Sequence, residues 1–295
     1  MTASPSFAER PRVDGVIERE MIAAGLASEP EIRDFAKAPI TLRDEIWTRA
    51  AIHILNKHRP NLLLFHLLTT DSLQHRYGAD SLAGNTGLVL AERQVKRLLD
   101  ALKASGLDRK TTVIVVSDHG FKTYKKVIRP NAVLATNGLG GDAWVISEGG
   151  TAMVYATKTA SRRQTIPKLK HLLGKLEGVA QVLEPDRFSE FGYPMPAANS
   201  PMADLVLAAA PGYSFEGAKG GDPVAAVAAG STPGAHGYLN TDPERDATCV
   251  AWGAGIKAGA KLGVIRNPDI APTIARVLGS DMPSAAGRVL TEALR

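Results

Sequence analysis

Apolar and polar positions follow two rhythms along this chain. Over residues 17–58 the pattern is helical, with Ile46, Ala50 and Ile54 on one face of a segment for which Thr41 is the expected N-cap. Residues 61–68, NLLLFHLL, then form a continuous apolar run after a proline, which predicts a strand buried on both faces of a sheet. A polar loop holding Asp71 and His75 follows. Over residues 86–105 the spacing of Leu90, Val95, Leu98, Leu99 and Leu102 predicts an amphipathic helix that stops at Gly106. Residues 111–117, TTVIVVS, carry the strongest strand signal because of their β-branched side chains, and they end in Asp118-His119-Gly120. Strand, helix and strand in this order predict a βαβ unit with parallel strands.

The middle of the chain is plainer. Strands are expected over 152–155, 179–183 and 203–209, with a helix over 166–176. This alternation fits a small α+β insertion or a continuation of the main sheet, and the pattern leaves both open. Residues 217–234, rich in Ala and Gly, read as a loop. A strand over 248–252 and a helix over 267–278, with Pro272 in its first turns, complete the set before a polar tail.

Composition narrows the class without deciding it. With 295 residues, 44% hydrophobic and 22% charged, the chain can bury a sizeable core. Its single cysteine, Cys249, excludes an internal disulfide and leaves the compartment open. The opening residues have no basic start followed by an apolar core, so no signal peptide is read there. No apolar run is long enough to span a bilayer. The net charge of +5 is scattered, and the cluster KTYKK at Lys122 to Lys126 reads as a solvated face, so nucleic acid is not an expected partner.

Candidate chemistry concentrates in Asp71 with His75, in the pair Asp118-His119, and in His236 of GAHGY. Asp and His are the oxygen and nitrogen ligands of Zn²⁺ and similar divalent metals. All five residues are expected in loops, and the first two loops follow predicted parallel strands, whose carboxyl ends are where ligands gather in an open α/β sheet. Taken alone, Asp71 and His75 fit a capping aspartate and a surface histidine better than a metal pair. Asp118-His119-Gly120 fits a strand-ending turn as well as a ligand pair, and His236 fits an ordinary loop histidine. His66, inside the apolar run, is expected to be a buried, hydrogen-bonded core residue. His53, His58 and His171 are expected on helix surfaces, without a role.

The ordered set of segments resembles the type I phosphodiesterase and nucleotide pyrophosphatase branch of the alkaline phosphatase superfamily. NLLLFHLLTTDSLQHRYGADS is similar to the family's strand followed by Asp, three residues, His and a glycine shortly after. TTVIVVSDHGF is similar to its strand ending in Asp-His-Gly, STPGAHGYLNTDPERDATCVAWG to its Gly-x-His-Gly loop and next strand, and IRNPDIAPTIARVLGSDMPSAAGRVL to its closing helix and tail. The resemblance implies an α/β, alkaline-phosphatase-like fold with a largely parallel sheet flanked by helices. It implies two neighbouring metal sites, usually Zn²⁺ with other divalent metals admissible. Asp71, His75 and His236 would hold one metal; Asp118 and His119 would belong to the second, leaving one complete site here.

The family's nucleophilic Thr or Ser and its first-strand aspartate would lie N-terminal to every matched segment. None of Ser4, Ser6, Thr41 and Thr48 stands in a matching context. Residues 1–295 are therefore expected to form a partial domain, incomplete at the N-terminus, with 150–232 as a small α+β subdomain. The expected function is metal-dependent hydrolysis of phosphodiester or pyrophosphate bonds in a phosphate-ester small molecule, weak or absent in this chain. A non-catalytic metal- or phosphate-binding protein and a phosphomonoesterase or phosphonate hydrolase relative are the alternatives. An uncovered sheet edge would invite self-association. Relatives are often secreted or periplasmic.

Overall fold

The structure, a computed structural model, describes residues 10–196 and 201–295. Ser4 and Ser6 lie outside the described residues. In chain order the elements are α1 (Val16–Ala23), α2 (Glu29–Arg33), α3 (Ile40–Lys57), α4 (Thr69–Tyr77), α5 (Leu82–Ala104), β1 (Thr112–Val116), β2 (Lys122–Thr123), β3 (Lys126–Ile128), α6 (Pro130–Thr136) and β4 (Ala143–Ser147). They continue with β5 (Thr151–Ala156), α7 (Arg162–Gly174), β6 (Val179–Leu183), β7 (Leu205–Ala209), β8 (Tyr213–Phe215), β9 (Val224–Ala226), β10 (Gly234–Ala235), β11 (Cys249–Gly253) and α8 (Ile270–Val277). The chain divides into two compact units, one of Met1–Ser72, Thr86–Asp118 and Ala247–Arg295, the other of Leu73–Asn85 and His119–Asp246.

In the first unit, local signals start the helices and apolar packing holds them. Ser28 begins α2 with a reciprocal cap: its hydroxyl accepts from the Glu31 N–H at 3.3 Å, and its own N–H donates to the Glu31 carboxylate at 2.7 Å. Ile17 and Met21 of α1 meet Ile32, Phe35 and the Ile46, Ala50, Ile54 face of α3 in one buried cluster, as the helical spacing anticipates. Each large side chain so buried contributes roughly 1.5–3 kcal/mol relative to exposure. Thr41 is not the cap of α3. Pro39 occupies that position, and the Ala38 carbonyl accepts from Arg43 Nε at 2.9 Å.

Two further expectations for this unit are corrected. Residues 62–68 join no strand ladder, and the strand β1 pairs antiparallel with β11, Thr112 opposite Gly253 and Val116 opposite Cys249. The predicted parallel βαβ unit is therefore not formed by these segments. An apolar run fixes burial preference but not the partner strand, which is chosen by distant residues. His66 is exposed, not a core residue.

The second unit is built around a four-stranded antiparallel sheet in the order β4-β5-β7-β6. Leu169 and Leu173 of α7 are fully buried and share a core with Val145, Val154, Leu205 and Leu207. The strands expected over 152–155, 179–183 and 203–209 and the helix over 166–176 are all present within a residue or a few at each end. Asn131 of α6, 4% exposed, closes against β4 by donating to the Val145 carbonyl at 2.7 Å and accepting the Val145 N–H at 2.9 Å. A smaller sheet sets β3 parallel to β8 and antiparallel to β9; this is the one parallel pairing among the described strands. β9 lies inside the stretch read from sequence as a loop. The pair β2 and β10, Thr123 opposite Gly234 and Lys122 opposite Ala235, positions the site described next.

Candidate metal centre

Three of the five expected ligands meet inside the second unit. The His119 and His236 rings stack with centroids 3.8 Å apart and planes 15° from parallel. His75 stands edge-on to His236 at 4.9 Å, and Phe121 touches all three rings at 4.8, 5.3 and 5.4 Å. One ring nitrogen each of His75 and His236 lie within 4.8 Å of one another.

Glycines make this approach possible. A side chain at Gly234 would meet the Gln74 carbonyl of α4 at 2.5 Å, so only the bare backbone lets β10 run against that helix. The Gly234 carbonyl accepts a hydrogen bond from His75 Nδ1 at 3.0 Å. Gly237 holds φ at +76°, and a Cβ there would fall 1.9 Å from the Glu148 carbonyl oxygen. On the far side the Gly150 N–H donates to the His236 carbonyl at 2.8 Å. The GAHG segment is thereby clamped at both ends.

Tautomers follow from these partners. A carbonyl only accepts, so His75 carries a proton on Nδ1. His119 Nδ1 faces the Gly120 carbonyl at 3.1 Å, which imposes the same assignment. A histidine whose second nitrogen is tied to a carbonyl in this way is the usual arrangement of a metal-ligating imidazole.

Asp71 and His75 are not in a loop: both lie on α4, one turn apart, and offer ligand atoms within 4.8 Å of each other. The helix begins there because of a residue far away in sequence. Asp44 of α3, 2% exposed, accepts the backbone N–H groups of Leu68 at 3.0 Å and Thr69 at 2.9 Å, doing from 25 residues away what an N-cap does locally. Thr48 completes the arrangement by donating to the Asp44 carbonyl at 2.7 Å. Asp118 lies two residues past the end of β1 in the first unit. The strand end is held by Ser117, whose N–H reaches the Thr248 carbonyl at 3.0 Å, and by Asn267 Nδ2, which donates to the Asp118 carbonyl at 2.8 Å.

Asp44, Phe121 and the clamping glycines were not singled out from sequence. A signal existed only for Gly234 and Gly237, which flank the predicted ligand. Chemically, the nitrogens that His75 and His236 offer within the second unit are of the kind a zinc-like divalent cation takes.

The fold is of the mixed α/β class, and comparisons with known proteins give its family. The chain belongs to the type I phosphodiesterase / nucleotide pyrophosphatase family, whose family model matches residues 12–239. Among solved structures it is similar to murine ectonucleotide pyrophosphatase / phosphodiesterase 5, with a TM-score of 0.69 at 18% identity over 88% of this chain and 64% of that one. An inactive form of the murine protein in complex with AMP matches with the same figures. The human counterpart gives a TM-score of 0.64 at 18% identity over 85% of this chain and 62% of that one. The chain thus spans less than two thirds of the length of these proteins and shares their mixed α/β fold. No curated protein sequence matches it.

Proposed function

We propose that this chain supplies the metal-binding part of a site that hydrolyses phosphodiester or pyrophosphate bonds, with Asp71, His75 and His236 holding one divalent metal and Asp118 and His119 belonging to a second. The observation that carries the proposal is the convergence of His75 and His236, which offer ring nitrogens within 4.8 Å of one another while His75 Nδ1 is held by the Gly234 carbonyl. When bound, such a metal supplies Lewis-acid polarisation of a phosphoryl oxygen. The chain's own residues hold the imidazoles in register: Phe121 packs against all three rings, and the stacked pair limits rotation of His119 and His236.

No hydroxyl among the described residues is assigned as nucleophile. Thr48 is fully buried and donates to Asp44, and Thr41 lies in the first turn of α3. Little or no turnover by the chain alone is therefore proposed, because loss of a nucleophile costs many orders of magnitude in rate. The proposal includes a larger, mostly parallel sheet of which β1 and β11 are a part. Supporting it, Val115, Val116, Val250 and Trp252 on these strands are 37%, 48%, 58% and 49% exposed, a poor end state for apolar strand residues.

The test is metal content by mass spectrometry on zinc-repleted protein, comparing wild type with His236→Ala and Asp71→Ala, alongside hydrolysis of a nitrophenyl phosphodiester. Loss of one equivalent of zinc in both variants, with no hydrolysis by wild type, is the expected result. Equal zinc content in all three would overturn the ligand assignment. Hydrolysis by wild type would overturn the proposed inactivity and demand a nucleophile within the chain.

A further inference from the structure

A second convergence of metal-type side chains is built entirely within the first unit. Glu20 projects from α1; His53 lies in α3 and His58 is the C-cap of that helix. His53 Nε2 and His58 Nε2 approach the same carboxylate oxygen, Glu20 Oε2, at 2.8 and 2.7 Å. The three ligand atoms lie within 4.8 Å of one another. The histidine side chains are only 11% and 24% exposed and that of Glu20 20%, so neither histidine is the surface residue expected from helical position.

We propose that Glu20, His53 and His58 form a separate binding site for a zinc-like divalent cation, one that ties α1 to α3. Two imidazole nitrogens and a carboxylate directed at one point are the His₂Glu donor set that Zn²⁺ accepts, with a position left for solvent. As the cluster stands, each imidazole donates an Nε2 proton to the carboxylate. Moving that proton to Nδ1, or to water, turns the same nitrogen into a lone-pair donor. The ligands are preorganised, because α1 and α3 are already locked by Ile17, Met21, Ile46, Ala50 and Ile54. An open cleft of about 610 Å³, lined by Glu20, His53, Arg19 and Lys57 among others, gives a cation its entry.

Lys57 is the built-in competitor. Its Nζ lies 2.9 Å from Glu20 Oε1, while the side chain is 53% exposed and so can swing into solvent. A cation arriving at the cluster must displace or repel that ammonium, which sets up opposite expectations for two kinds of variant. Removing a ligand weakens metal binding, whereas removing Lys57 strengthens it. A purely hydrogen-bonded cluster shows no metal binding for either change to alter.

The experiment is Zn²⁺ titration against a chromophoric chelator, using the full chain carrying His75→Ala, His119→Ala and His236→Ala so that both metal positions of the hydrolytic proposal lose their imidazoles. One equivalent of Zn²⁺ should bind. His53→Gln or His58→Gln in the same background should weaken it by at least about tenfold, and Lys57→Met should tighten it severalfold. In the wild-type chain, the His53 and His58 ring resonances should move on adding Zn²⁺. No zinc bound by the silenced background, with those resonances unmoved in wild type, overturns the proposal; so does unchanged affinity in His53→Gln. If the His→Gln variants fail to fold, Lys57→Met decides, and no tightening there overturns it. The outcome is independent of the hydrolytic proposal, whose three histidine ligands are absent from the background used.

Discussion

Replacing Asp44 with alanine tests whether α4, and with it Asp71 and His75, is held in place from α3. The carboxylate accepts two backbone hydrogen bonds, from Leu68 at 3.0 Å and Thr69 at 2.9 Å, at a side chain only 2% exposed. Bonds to an ionised acceptor contribute about 1.5–3 kcal/mol each, and a buried N–H left unpaired costs about 1–3 kcal/mol. Thr69 is 1% exposed, so its amide cannot recover the loss from water, whereas Leu68 is only half-buried and partly can. The sum is about 3 kcal/mol for Asp44→Ala and about half that for Asp44→Asn, which keeps one acceptor but loses the negative charge that suits a helix N-terminus. At roughly 2 °C per kcal/mol for a chain of this size, Asp44→Ala should lower Tm by about 6 °C. Differential scanning calorimetry reads the shift, and amide exchange at Leu68 and Thr69 localises it. Zinc affinity should fall in parallel, because the first turn of α4 frays. Unchanged exchange at those two amides in a stable Asp44→Ala protein would refute the remote cap.

Gly234→Ala should destabilise the chain by about 1–3 kcal/mol, since its Cβ would press on the Gln74 carbonyl, and should abolish zinc retention; chelator competition after folding checks it. Gly237→Ala carries the added strain of φ at +76° and should be the worse of the two in urea unfolding. Asp269 is buried at the start of α8, and the backbone N–H groups of Arg288 and Arg266 hold its carboxyl below the usual carboxylate range. Because the folded-state value is depressed, its contribution is present above the ordinary carboxylate range and is lost as pH falls through the folded value. Asp269→Asn should therefore flatten stability against pH on the acid side below about 4, and an unchanged acid limb counts against the two-amide cradle. Val250→Lys with Val116→Lys, on the exposed apolar strands, should reduce self-association measured by light scattering if that face drives it.

Much of the candidate site was legible as residue types and little of it as geometry. The helices α3, α5 and α7 declared themselves because their apolar spacing is a local property, and β1 because β-branched residues cluster there. Asp71 and His75 were expected in a loop because Leu68, the residue before α4, has no capping side chain; the cap comes from Asp44, which no local pattern announces. Strand pairing failed for a similar reason. β1 and β11 are separated by more than a hundred residues, so their antiparallel register depends on how the intervening chain folds. His53 and His58 were expected on the surface because their partner, Glu20, is 33 and 38 residues away.

The hydrogen bond from His75 to Gly234 closes a sequence separation of 159 residues, and the chain between them contains the whole four-stranded sheet. Loop-closure entropy has to be overcome before so distant a pair gains anything from meeting. The histidine cluster should accordingly be among the last features to form as the chain folds and among the first to dissolve as it opens. Capture of a metal there is then a late event, and its kinetics during refolding give a clock for the completion of the second unit that no single helix could provide.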